Sequence, residues 1–189
     1  APDANLFTYS AYRAFAEPRS APFSSQYLAA RTTSGWSTTS ITPPQEGPPE
    51  FGDASDGDTM FKAFTPDLEK ALVLQSRGPA LSPGSEFPNV YLRDNVAGTY
   101  SPLVSGQALA GLPNPAFPEV QGLTPDGRCG IFRAKDKLVD EAKEGLTQLY
   151  ESCEGVLSLV SILPDDTASS QPSSAGTPGT TSQNRSGSL

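Results

Sequence analysis

The apolar residues of this chain fall in short runs, many alternating with polar residues, and the runs are closed by Pro, Gly, Asp or Asn. That pattern predicts short strands joined by turns rather than long helices. "MFKAF" (60–64) and "EVQGL" (119–123) each lead into a Pro-Asp pair. Pro presets φ and the Asp carboxylate bonds back to the backbone, so both pairs predict tight turns. Behind the turns stand "ALVLQS" (71–76) and "CGIFRA" (129–134), and "LFTYS" (6–10) follows a Pro-Asp pair in the same way. After a longer loop come "YLAAR" (27–31), "NVYLRD" (89–94) and "TQLYES" (147–152). Each then turns into a last run, "GWSTTSI", "TYSPLVS" or "VLSLVSIL".

These runs repeat one unit. Pro2, Pro66 and Pro125 lie 64 and 59 residues apart, and Tyr27, Tyr91 and Tyr150 keep the same two intervals. Gly35, Gly98 and Gly155, which precede the last runs, lie 63 and 57 apart. Three markers with nearly one spacing predict an internal repeat. The copies span 1–44, 59–106 and 118–166. Each reads as four strands, except that the first copy lacks its opening strand, as if the chain were cut before Ala1. In the second copy Leu72 and Leu74 point one way and Ala71 and Val73 the other. In the third, Val156, Val160 and Ile162 oppose Leu157, Leu159 and Leu163. Sheets apolar on both sides need cover on both, which sheets stacked around an axis provide and a two-sheet sandwich does not. The expected fold is therefore all-β: a partial β-propeller of about three four-stranded antiparallel blades within residues 1–166.

One stretch departs from the strand pattern. "KDKLVDEAKEGLTQLY" spaces Leu138, Ala142, Leu146 and Leu149 like one face of a helix. Its counterpart "GPALSPGSEFPN" carries three prolines and Gly145 interrupts the run, so only one or two helical turns are expected, near 139–144. "TPPQEGPPE" (42–50) and "ALAGLPNPAFPE" (108–119) read as connections between copies. Residues 167–189, rich in Ser, Thr, Pro and Gly, read as a disordered tail or linker, with Asn184-Arg185-Ser186 a chance-level glycosylation triplet.

Charge and composition narrow the chemistry. The net charge is −8 over 189 residues, which opposes phosphate backbones and anionic lipid, so neither nucleic acid nor membrane insertion is expected. No apolar run is long enough to span a bilayer as a helix. There is no histidine, which removes imidazole-based nucleophile systems and His-ligated metals. Acid–base work would fall to carboxylates, Lys or Tyr.

"SSQYLAARTTSGWSTTSITPPQ", "FTPDLEKALVLQS…NVYLRDNVAGTYSPLVSG" and "LTPDG…LYESCEGVLSLVSILPDD" together resemble WD40-like β-propeller repeats of the PD40, TolB type. The resemblance covers roughly residues 1–166 and is closest to large secreted bacterial repeat proteins. It implies an extracytoplasmic location and transfers no catalytic residue. The family turn carries Pro-Asp-Gly; Gly127 keeps the Gly while Ala4 and Leu68 replace it, so variable turn geometry is expected. Three blades do not close a ring of 4–8, so blades are expected from the parent chain or another copy, and an open stack is expected to associate.

Four groups are candidate sites. Asp53, Asp56 and Asp58 read as a solvated acidic loop or, less well, as oxygen ligands for calcium, their spacing departing from the EF-hand order. Trp36, Tyr12 and Phe23 read as packing between blades or as a platform for a sugar or partner. Asp67 and Asp126 read as turn-capping groups, with Asp94 and Glu151 at the ends of third strands. Cys129 and Cys153 are the two cysteines. Pairing Ala134 with Thr147 sums to 281 and Cys129 with Cys153 to 282, so the thiols lie opposite one another or one position off. They are a disulfide or two small buried residues, and the extracytoplasmic setting implied by the resemblance would permit oxidation. The resulting functional expectation is a non-enzymatic scaffold that binds a protein or surface ligand. The alternative is a carbohydrate-binding or carboxylate-dependent glycan-hydrolysing propeller.

Overall fold

The computed structural model describes residues 5–11, 25–43, 61–75, 79–85, 89–105 and 118–173. It is all-β, with no helix among these residues. Eleven strands follow in order: β1 (Leu6–Ala11), β2 (Ser25–Thr32), β3 (Gly35–Ser40), β4 (Phe61–Phe64), β5 (Lys70–Gln75), β6 (Asn89–Asp94), β7 (Tyr100–Pro102), β8 (Glu119–Leu123), β9 (Cys129–Ala134), β10 (Gln148–Cys153) and β11 (Val156–Leu159). They form three antiparallel meanders, β1-β2-β3, β4-β5-β6-β7 and β8-β9-β10-β11. The arrangement is a partial propeller of three stacked sheets, the first with three strands.

The middle sheet explains why its strands are apolar on both sides. One face, carrying Ala71, Val73 and Tyr91, packs with Ile41, Leu28 and Phe61 against the first sheet. The other, carrying Leu72, Val90 and Leu103, packs with Phe132 and Tyr150 of the third sheet. Gly130 marks a close approach of the second and third sheets. A Cβ there would lie 2.6 Å from Leu103 Cδ1 and 3.2 Å from Leu72 Cδ2. The first strands β4 and β8 also touch, as innermost strands near a common axis do. Both carry a bulge at the same place, between Phe61 and Ala63 and between Val120 and Gly122.

The recurring tyrosine has a physical role. Tyr27, Tyr91 and Tyr150 are fully buried at equivalent positions of the three sheets. In the second and third sheets the hydroxyl tethers the loop between the second and third strands. Tyr91 Oη accepts from Leu81 N and shares a 2.9 Å hydrogen bond with Ser85 Oγ. Tyr150 Oη donates to Asp136 O at 2.7 Å. Each ring thus adds apolar area to the core while its polar end fixes an otherwise irregular loop.

Three expectations change. The stretch 139–144 is a single hydrogen-bonded turn, Ala142 N to Val139 O, instead of helical turns. Gly145, at φ 70° in a separate turn at 144–145, and Gln148 Oε1, which accepts from Lys143 N, redirect the backbone away from a helical path. Residues 167–173 are also ordered. Ser169 N donates to Ser161 O and Ser173 N to Thr147 O, and Ala168 joins the core. The start of the expected tail is therefore part of the third sheet's surroundings; its remainder, 174–189 with the Asn184 triplet, lies outside the described residues. Finally, only one side of β11 is covered. Leu159 is buried, whereas Val156 and Val160 are 70% and 42% exposed.

Candidate functional site

The Pro66-Asp67 and Pro125-Asp126 turns are built identically, while Pro2-Asp3 and Ala4 lie outside the described residues. In the first of the two, Thr65 Oγ1 donates to Asp67 Oδ1, which also accepts from Glu69 N, while Lys70 N donates to Thr65 Oγ1. In the other, Thr124, Asp126, Arg128 and Cys129 make the same three bonds. Leu68 holds φ 64° where Gly127 holds 66°, so replacement of the glycine leaves the turn geometry unchanged. Asn95 Nδ2 donates to Leu68 O, which helps hold the left-handed residue. A third such turn, Pro164-Asp165-Asp166, has Asp166 at φ 62° and Thr167 N and Oγ1 donating to Asp165. The dipeptide was its sequence signal, but an interval of 39 from Pro125 hides it from the repeat.

These bonds all favour the charged carboxylates. The Thr65 hydroxyl and Glu69 amide hold Asp67 below its ordinary pKa, the Thr124 hydroxyl and Arg128 amide do so for Asp126, and Thr167 does so for Asp165. Arg128, whose Nε lies 3.0 Å from Glu154 Oε1, lowers Glu154 in the same way. Each folded-state pKa lies below the unfolded value of about 4, so the unfolded chain binds protons more readily. Stability from these groups is present above about pH 4 and is lost as the pH falls through the folded values. The thermal midpoint is expected to hold from neutral pH to about 5 and then decline, with a shallower decline for Asp126→Asn. A midpoint in Asp126→Asn that tracks the parent at every pH would reject a role for that carboxylate.

Cys129 and Cys153 are joined by a disulfide, and their Cα atoms are 4.1 Å apart. The register is that of sum 282, Cys129 directly opposite Cys153 and Ala134 opposite Gln148. Cys129 directs its N–H and C=O to Thr124, away from β10, so the two cysteines form a close non-hydrogen-bonded pair. Glu151 stands beside them; with the two sulfurs bonded to each other, that cluster offers a cation only a carboxylate. The equivalent cross-strand pairs are Leu6 with Ala30 and Lys70 with Asp94.

Trp36 lies at the open end of the first sheet, 46% exposed. Its ring meets Phe7 edge-on at 5.0 Å and carries the Arg31 guanidinium 4.6 Å above it. Next along the same face, Tyr9 stacks on Tyr27 at 5.4 Å. Tyr12, Phe23, Asp53, Asp56 and Asp58 lie outside the described residues. Asp94 Oδ1 accepts from Val96 N and Ala97 N in the β6–β7 turn. It and Glu151 lie on different sheets and form no pair.

The chain matches no family model, no curated protein and no solved structure. No helix of the described residues is long and apolar enough to cross a membrane.

Proposed function

We propose that this chain is a non-enzymatic β-propeller scaffold that acts outside the cytoplasm and binds a protein or surface ligand. The observation that carries the reading is the uncovered face of the third sheet. Ile131 and Leu149 occupy the positions of Leu72 and Val90, which are fully buried under a neighbouring sheet. In the third sheet both are partly exposed and Val156 stands 70% exposed beside them. This apolar patch, on a face that also carries the Arg133–Glu119 ion pair and Glu151 and has no neighbouring sheet among the described residues, marks an interaction surface. The disulfide supports an oxidising compartment. The turn carboxylates support a structural role, because their pKa values move down, whereas a glycosidase acid needs its pKa raised.

A glycan library assayed for both binding and hydrolysis tests the reading. No turnover is expected. Hydrolysis abolished by Glu151→Gln or Asp94→Asn would replace the scaffold with a carboxylate-dependent enzyme.

A further inference from the structure

The two cysteines and Glu151 share one side of the third sheet. Call the side of each sheet that bears the recurring tyrosine the front, and the opposite side the back. Phe132 and Tyr150 occupy the front of the third sheet and pack on the second. Side chains alternate along a strand, so Cys129 on β9 and Glu151 and Cys153 on β10 face the back. All three are partly exposed, and no neighbouring sheet covers that side among the described residues. Sulfur and carboxylate ligands placed there are within reach of solvent, a reductant and a metal ion.

Equivalent positions show that the grouping is particular to the third sheet. The place of Glu151 is held by Leu28 in the first sheet and Leu92 in the second, each packed against the core. The place of the cysteine pair is held by Leu6 with Ala30 and by Lys70 with Asp94. The third sheet thus exchanges an apolar contact for a carboxylate, two residues from Cys153 on the same strand. The two sulfurs and a Glu151 carboxylate oxygen lie within 4.8 Å of one another. Around one zinc ion such atoms stand about 3.6–3.8 Å apart, given Zn–S near 2.3 Å and Zn–O near 2.1 Å. Side-chain rotation covers the difference. Glu151 makes no ion pair among the described residues, so no cation opposes its turning.

The backbone holds the cysteines opposite each other without help from the bridge. Cys129 N donates to Thr124 Oγ1 and Thr124 N donates to Cys129 O, which ties Cys129 to the Pro125-Asp126 turn. Cys153 opens the turn into β11, where Glu154 and Gly155 hold φ 51° and 86°. Positive φ at both central residues is the twist that suits a two-residue hairpin. Glu154 N donates to Arg128 O, and the Arg128–Glu154 ion pair joins the same two chain segments. None of these contacts uses a sulfur, so reduction leaves the two thiols neighbours.

We infer that reduced Cys129 and Cys153, together with Glu151, form a zinc site that the disulfide keeps closed. A dithiol reductant gives the bridge two electrons and two protons. The S–S bond breaks, both cysteines become thiols, and the reductant leaves as its own disulfide. Zinc(II) then displaces the two thiol protons to solvent as two Zn–S bonds form, and the Glu151 carboxylate supplies the third ligand. The fourth position faces solvent. Two sulfur ligands select zinc over calcium or magnesium, which prefer oxygen alone. The site goes beyond the scaffold reading, because it couples metal loading of this face to the redox state around it. An oxidising setting closes the bridge and excludes the metal; bound zinc in turn holds the thiols reduced.

The full chain, reduced with a trialkylphosphine and then freed of it so that no reductant competes for metal, is titrated with zinc(II) and with cobalt(II). One ion per chain is expected. Cobalt should give thiolate-to-metal charge-transfer absorption and the visible bands of a tetrahedral site, both erased by added zinc. Zinc should also raise the thermal midpoint of the reduced chain, whose far-ultraviolet circular dichroism should match that of the oxidised one. The air-oxidised chain is expected to bind neither ion over the same range. Glu151→Gln keeps both thiols and should weaken zinc binding at least about tenfold. Cys129→Ser should abolish the charge-transfer bands of the two-sulfur site. A reduced chain that binds no metal, or an oxidised chain that binds it as tightly, would overturn the site. So would a Glu151→Gln chain with the parent's affinity and cobalt spectrum, zinc taken up only by a chain that has lost its folded circular dichroism, or an ion shared between two chains in sedimentation. Hydrolysis in the glycan assay would overturn the scaffold reading and leave this site standing.

Discussion

Phe132→Ala is expected to destabilise the fold by about 4 kcal/mol, close to the largest effect of any single side-chain truncation here. Phe132 is fully buried, stacks on Tyr150 and lies between the second and third sheets. Truncation removes the ring's transfer free energy and leaves a cavity that the sheet backbones cannot close. Gly130 beside it already lets Leu103 and Leu72 approach to contact, so those side chains are held in place and cannot swing over to fill the space. At about 2–4 °C per kcal/mol for a chain of this size, the thermal midpoint should fall by roughly 8–16 °C. Tyr9→Ala, at the equivalent place in the first sheet, should cost less, because Tyr9 is only partly buried. Calorimetry on both variants decides the matter. Equal losses would mean that the front of the first sheet is covered as fully as that of the third.

Much of this core is legible in the sequence because the repeat has a physical cause. A tyrosine at a fixed place in each unit must be buried and must find a partner for its hydroxyl, and both demands recur with the period. Tyr27, Tyr91 and Tyr150 therefore mark the three units along the chain. The turns are legible for a similar reason, since Pro and Asp act through their own backbone. Leu138, Ala142 and Leu146 mislead because helical spacing also arises when a loop threads inward at intervals; Gly145 and the Gln148 side chain settle the local contest against the helix. The covered and uncovered sides of β11 cannot be distinguished in "VLSLVSIL", because alternation states that two faces are apolar and not whether a neighbour is present. The uncovered side becomes visible only when exposed Val160 is compared with buried Leu103 and Ile41.

Reducing the Cys129–Cys153 bridge is expected to destabilise the chain by about 3 kcal/mol and lower its midpoint by roughly 6–12 °C. The bridge spans a sequence separation of 24 and closes the long loop between β9 and β10, so the reduced unfolded chain regains the freedom to open it. The second sheet shows what the position tolerates without a bridge, since Lys70 faces Asp94 there. Replacing Cys129 by Lys together with Cys153 by Asp should therefore preserve the register but recover under about 1 kcal/mol, as an ion pair at a sheet edge does. Scanning calorimetry with and without reductant, beside alkylation and intact-mass analysis, measures each step. Two alkylated thiols in the folded, air-oxidised chain would reject the bridge. An unchanged midpoint on reduction would show that the meander β8–β11 holds its loop closed without it.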